Sequence, residues 1–105
     1  MTAPQPDPPP RIEIFHAQLC GLCHEAMDYF TRRGLPFTAH EVFWDAAHDR
    51  WVDDANSRQL RERAGAVDFV PQIFINGHHI RGWRELEPMI ASGELEAWLR
   101  RPPAP

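Results

Sequence analysis

With 105 residues, a quarter of them charged, and a formal net charge of −4, the chain has room for one compact domain and not for two. The modest negative charge argues against nucleic acid as a partner, and no apolar run approaches the ~20 residues of a membrane helix. Two cysteines in a chain without a recognisable secretory signal point to redox or metal chemistry in the cytoplasm rather than to a structural disulfide.

Met1 to Pro10 carries five prolines, no positive cluster and no apolar core, and reads as an extended or disordered tail. A single domain over residues 11–100 follows, with a second proline-rich tail over 101–105. Arg11 to His16 reads as a strand. A helix starts at or just before Cys23, carries Ala26, Met27 and Phe30 on one face, and ends at Gly34, with Pro36 blocking its continuation. Phe37 to Phe43 reads as a second strand. Asp45 is a candidate cap for a helix over about 46–64, with Trp51, Ala55 and Leu60 inward, ended by Gly65.

Gln72 to Ile75 is a strand. Asn76-Gly77 signals a tight hairpin turn, because both central residues of a type I′ turn need positive φ. His78 to Ile80 returns as an edge strand, and a last helix runs from near Arg84 to Leu99, broken around Ser92-Gly93. The order β-α-β-α-β-β-α predicts an α/β fold with a mixed sheet flanked by helices.

Two segments carry the chemistry. Cys20-Gly21-Leu22-Cys23 places both cysteines at a strand-to-helix junction. Unpaired N–H groups and the dipole at a helix N-terminus favour negative charge, so Cys20 is expected to be the more acidic and more exposed thiol. It would attack a disulfide, and Cys23, one turn further on and more buried, would resolve the mixed disulfide. Far along the chain, Phe69-Val70-Pro71-Gln72-Ile73-Phe74-Ile75-Asn76-Gly77 opens a strand on an X-Pro step whose backbone can hold an extended substrate.

These two segments, the order of elements and the tail Ala91-Ser92-Gly93-Glu94-Leu95 resemble glutaredoxins over about residues 11–100. The resemblance implies a thioredoxin-like fold with a four-stranded mixed sheet and three or more helices, and thiol–disulfide oxidoreductase activity. It further implies a cis peptide before Pro71 and a Val70 backbone that pairs with a glutathionyl or peptide segment beside Cys20. Glutathione is the implied co-substrate, disulfide-containing or glutathionylated proteins are the implied partners, and the chain is expected to act as a monomer.

Several glutathione contacts of the family are altered. Ala17 stands where a lysine is usual, and Ser57 where a basic or amide side chain is usual. Arg81-Gly82-Trp83-Arg84-Glu85 replaces Gly-Gly and an acidic pair, so that Arg84 reverses a charge. Asp68 looks like an inserted residue. Lost or reversed ionic contacts weaken binding of the tripeptide. Arg58 is a candidate replacement for the cation absent at Ser57, and Gly82, Trp83 and Arg84 remain candidate substrate contacts. Gly82-Trp83-Arg84 and Cys-x-x-Cys-His also resemble the small redoxins that serve ribonucleotide reductase, which implies thioredoxin reductase as an alternative electron source.

Other readings use the same residues. A small residue at Gly21 is shared with glutaredoxins that carry a 2Fe-2S cluster between two monomers, although the altered glutathione contacts oppose it. Cys20-x-x-Cys23-His24 matches a haem attachment pattern, and Cys20 and Cys23 with two of His16, His24, His78 and His79 could hold zinc; neither accounts for Val70-Pro71. A thioredoxin fold used only for protein contacts would have no need of both cysteines.

Overall fold

The computed structural model describes residues 9–104. The first eight residues of the expected N-terminal tail, and Pro105, lie outside the described residues. The elements are β1 (Ile12–His16), α1 (Gly21–Arg32), β2 (Thr38–Glu41), β3 (Trp44–Asp45), β4 (Arg50–Trp51), α2 (Ala55–Ala64), β5 (Gln72–Ile75), β6 (His78–Arg81), α3 (Gly82–Ser92) and α4 (Glu94–Leu99). Strands β2-β1-β5-β6 form a mixed sheet in that order, parallel between β1 and β2 and antiparallel elsewhere. This is the mixed sheet expected from the chain order, in the thioredoxin-like arrangement that the resemblance implies.

Residues alternate across a strand, and β1 and β5 are covered on both faces. Ile12 and Ile14 pair with Ile75 and Ile73, and this face packs with Ala26 and Phe30 of α1, Leu86 and Met89 of α3 and Leu95 of α4. Each fully buried Ile, Leu or Phe contributes roughly 1.5–3 kcal/mol over exposure. Phe15 and Phe74 look the other way, against Val42 and Leu60 of α2. Glu13 shares that second face. Its carboxylate accepts two hydrogen bonds from the Arg63 guanidinium, at 2.9 and 2.8 Å, and His40 Nε2 lies 3.3 Å away. Arg63 in turn stands 4.1 Å over the Phe74 ring.

The α1 terminus follows its sequence signals. Gly34 adopts φ +66°, and the bonds Leu35 N–H to Phe30 O (2.9 Å) and Gly34 N–H to Thr31 O (3.0 Å) close a Schellman motif. At the far hairpin, Asn76 and Gly77 take φ 52° and 80° as a type I′ turn requires. The last helix begins at Gly82 rather than Arg84 and breaks at Gly93, where φ is +84°. The second strand is shorter than expected, four residues instead of seven.

The expected helix over 46–64 is half wrong. Asp45 does not cap a helix. Its Oδ1 accepts the Ala47 N–H at 3.2 Å and its Oδ2 meets His48 Nδ1 at 2.8 Å, closing a local turn that competes with a helical start. Trp44 and Trp51 then pair across a two-stranded ribbon, their rings edge to face at 4.8 Å. The helix waits for Asp54, which accepts the Ser57 N–H at 2.8 Å while Ser57 Oγ accepts the Asp54 N–H at 3.0 Å, a reciprocal capping box.

The described part of the C-terminal tail is fastened. Ala104 N–H donates to Asn76 O at 2.9 Å, and His78 Nε2 lies 3.0 Å from Pro102 O. The Asn76 amide reaches three further carbonyls, of Trp98, Leu99 and Arg101.

Glu13 yields a test. Its hydrogen bonds from Arg63, with those of His40 and the nearby cations, outweigh burial and hold its carboxyl below the ordinary value of 4.5. The ion pair therefore stabilises the fold above about pH 4.5, and that contribution is lost as pH falls below it. Arg63→Ala, which strands a buried carboxylate, should cost about 3 kcal/mol in urea denaturation at pH 7. Its cost should shrink towards pH 4; an equal cost at both pH values contradicts the pairing.

Candidate active site

Cys20 is the N-cap of α1, with extended backbone (φ −113°, ψ 101°), and its Sγ accepts the Cys23 N–H at 3.1 Å. Sulfur thus takes the place usually held by a serine or aspartate oxygen and satisfies one of the unpaired amides of the first turn. Cys23 is fully buried on the inner face of α1, whereas Cys20 is partly exposed. The two sulfurs are joined in a disulfide spanning Cα atoms 5.2 Å apart.

The second segment arrives from the other end of the chain. Val70 immediately precedes a cis peptide to the fully buried Pro71, and its carbonyl oxygen lies 3.4 Å from Cys20 Sγ, within reach of a thiol donor once the disulfide is opened. Val70 lies outside the ladder, whose first paired residue on β5 is Gln72, opposite Phe15.

Two side chains hold the approach to Val70. The Trp51 indole N–H donates to Val67 O at 2.8 Å. Gln72, fully buried, donates its amide to Phe69 O at 3.0 Å and accepts at Oε1 from His79 Nε2, 2.7 Å away. Because an amide oxygen only accepts, His79 must carry its proton on Nε2. Burial, first, and the positive charge of Arg81 lower the His79 pKa, consistent with a neutral ring stacked on Phe74 at 4.7 Å. The two adjacent histidines of β6 therefore have different roles. His78 faces the C-terminal tail and His79 supports the loop, a role with no marker in the sequence beyond the alternation of a strand.

The candidate substrate contacts divide. Gly82 sits beside the loop with φ +74°, and a Cβ there would meet Phe69 Cε2 at 3.4 Å and the Pro71 carbonyl oxygen at 3.6 Å. Trp83 is half-buried against the α1–α3 core, and Arg84 is exposed on the first turn of α3. Arg58 is committed elsewhere, making two bonds to the Asp53 carboxylate at 2.9 and 3.2 Å. Ser57, the position of the absent cation, is buried and used by the cap. His16 ends β1 near the site, its Nδ1 buried without a partner among the described residues, and burial lowers its pKa.

Residues 12–80 match the family model of glutaredoxin. The chain belongs to the glutaredoxin family. It is 29% identical over 89 residues to glutaredoxin 3 of Escherichia coli strain K12, covering 85% of this chain and 96% of that one. It is also 28% identical to glutaredoxin-C15 of Oryza sativa subsp. japonica, covering 85% and 82%. Among solved structures, a dithiolic glutaredoxin from Trypanosoma brucei brucei superposes with a TM-score of 0.63 at 27% identity, over 85% of this chain and 86% of that chain. A buckwheat glutaredoxin in complex with glutathione shares the fold, with a TM-score of 0.65 at 24% identity over 86% and 76%.

This glutaredoxin is a thiol–disulfide oxidoreductase, with its two cysteines together at Cys20 and Cys23. The zinc set is not assembled: among the described residues no three His, Cys, Asp or Glu side chains come together to hold a metal. The 2Fe-2S reading gains no support from the donors around the site. No helix among the described residues is long and apolar enough to cross a membrane.

Gln72→Leu leaves the Phe69 carbonyl and the His79 N–H without their partner. Urea denaturation at pH 7 should show a loss of about 1–3 kcal/mol. Wild-type stability in this variant would mean that the Gln72 bridge does not hold the loop.

Proposed function

We propose that this glutaredoxin reduces protein disulfides or glutathione mixed disulfides by a dithiol cycle in which Cys20 is the nucleophile and Cys23 the resolving residue. The observation that carries this reading is Cys20 at the N-cap of α1, its sulfur receiving the Cys23 amide while Cys23 itself is buried. The Cys20 thiolate attacks one sulfur of the substrate, forming a Cys20–substrate disulfide and expelling the other sulfur as thiolate. Cys23 then loses its proton and attacks Cys20 Sγ, releasing the reduced substrate and closing the Cys20–Cys23 disulfide. Two electrons reopen it, from two glutathione thiols that leave as glutathione disulfide or from thioredoxin reductase. Both sulfurs belong to one chain, so the cycle runs in a monomer, and a site that must be re-reduced after each turnover fits the reducing cytoplasm.

Val70 and Pro71 supply the backbone edge against which the substrate segment lies, with Gly82 and Trp83 beyond it. Glutathione is the expected co-substrate, since a buckwheat relative of the same fold is in complex with glutathione. Its affinity here should be weaker than is usual in the family. Ala17 has no charge, Ser57 is spent in a cap, Arg58 is paired with Asp53, and Arg84 repels the tripeptide's amino group. These altered contacts also favour the second reading, in which thioredoxin reductase supplies the electrons. Coupled assays with glutathione plus glutathione reductase, and with thioredoxin reductase, separate the two.

Cys20→Ser should abolish disulfide reduction, whereas Cys23→Ser should accumulate mixed disulfides that mass spectrometry detects. Alkylation of the reduced protein against pH should give a Cys20 midpoint below the ~8.5 of a free thiol. Full turnover in Cys20→Ser would remove it as nucleophile.

Arg84→Asp should lower KM for glutathionylated substrates several-fold by receiving the amino group of glutathione. An unchanged or raised KM would show that Arg84 does not face the tripeptide's amine.

A further inference from the structure

Three exposed apolar side chains stand on the two segments that meet at Cys20, among the exposed polar residues Gln18 and His24. Leu19 is wholly exposed (103%), Leu22 is 42% exposed and Phe69 47%. Leu19 and Leu22 flank Cys20 on the entry to α1 and its first turn. Phe69 adjoins Val70, whose carbonyl oxygen is 3.4 Å from Cys20 Sγ, and its ring edge turns towards Gly82. Any substrate must bring its own sulfur into line with Cys20 Sγ and therefore covers this rim. Exposed apolar groups gathered around one point mark a surface that gains free energy when a partner covers it.

Charges of both signs stand near the rim, with Arg84 exposed on the first turn of α3 just after Gly82. Arg58 is bonded to Asp53, and Asp68, exposed beside Phe69, places a negative charge on the approach. Glutathione carries no apolar side chain, so it does not match the carbon of this rim.

We infer that the preferred substrate is a disulfide cysteine in an extended polypeptide segment with apolar residues on both sides of it, with Leu19, Leu22 and Phe69 as the surface that selects it. This rests on Cys20 being the nucleophile. The reaction is the first half of the cycle: the Cys20 thiolate bonds to the peptide sulfur, the peptide's S–S bond breaks, and the leaving thiolate departs with the electron pair.

The test uses the full chain, pre-reduced and freed of reductant, in stopped-flow single turnover. Three probes each carry thionitrobenzoate as leaving group: a peptide with leucine and phenylalanine beside its cysteine, the same peptide with serine at both places, and glutathione. Released thionitrobenzoate is read by absorbance. The apolar peptide should react at least tenfold faster than the serine peptide and faster than the glutathione probe. Leu19→Ser and Phe69→Ser should each lower that apolar-to-serine ratio at least threefold, and a ratio is insensitive to small losses of folded protein. A ratio near one in the unaltered protein, a glutathione probe that reacts fastest, or ratios unmoved by both substitutions overturns the inference. So does a concentration-dependent dimer that Leu19→Ser abolishes, since the rim would then serve a second copy of this chain. Equal release by Cys20→Ser, or no release from any probe, instead overturns the assignment of the nucleophile on which the inference stands.

Discussion

Cys20 Sγ accepts an amide from its own helix and abuts a carbonyl from a segment 50 residues away. The first contact needs α1 to begin within a residue of the sulfur, and the second also needs β5 to begin just after Pro71. Much of the surrounding architecture serves those two positions. Cys23, Ala26 and Phe30 bury one face of α1 and fix its rotation. Pairing of Phe15 with Gln72 fixes where β5 starts. Trp51 and Gln72 then hold the intervening loop by Val67 and Phe69, on either side of the exposed Asp68. The reactive geometry is thus set by packing and by side-chain bonds to backbone, on rigid elements rather than on the loop alone.

The two faces of the sheet solve different problems. The face under α1 and α3 is aliphatic and provides burial. The face under α2 carries Glu13, Gln72 and His79 in partnered form. A buried ion pair adds little over apolar residues of the same size, but a lone buried charge is costly. A one-residue slip of β1 would turn Glu13 into the aliphatic face, away from Arg63. The polar layer therefore penalises wrong registers more than it adds to stability.

Strands β1, β5 and β6, the Asn76-Gly77 turn and helix α1 were legible because each is set by local signals: short apolar runs, positive φ, an apolar stripe and a glycine cap. The dithiol was legible for the same reason, since Cys-x-x-Cys before a helical stripe places a sulfur at an N-terminus. The segment after β2 was not. Asp45 and Asp54 are both good caps, and the pairing of Trp44 with Trp51, residues seven apart, joins the Asp45 turn and the Asp54–Ser57 capping box in deciding for the second. Ser57 looked like a lost cation and is also a cap hydroxyl. Arg58 looked free because Asp53, five residues earlier and outside the helix, gives no periodic signal. The support that His79 lends Phe69 through Gln72 passes between two strands and a loop, and nothing in the one-dimensional pattern marks it.

The fastened tail has a practical geometry. From Pro71 to Asn76 the strand advances about 17 Å at its usual rise, so the turn that Ala104 binds lies at the end of the sheet remote from Cys20. A fusion partner or surface tether joined beyond Ala104 would leave the molecule there. Electrodes, beads or reporter proteins attached by that route would orient the dithiol outward, leaving the leucine rim open to solution.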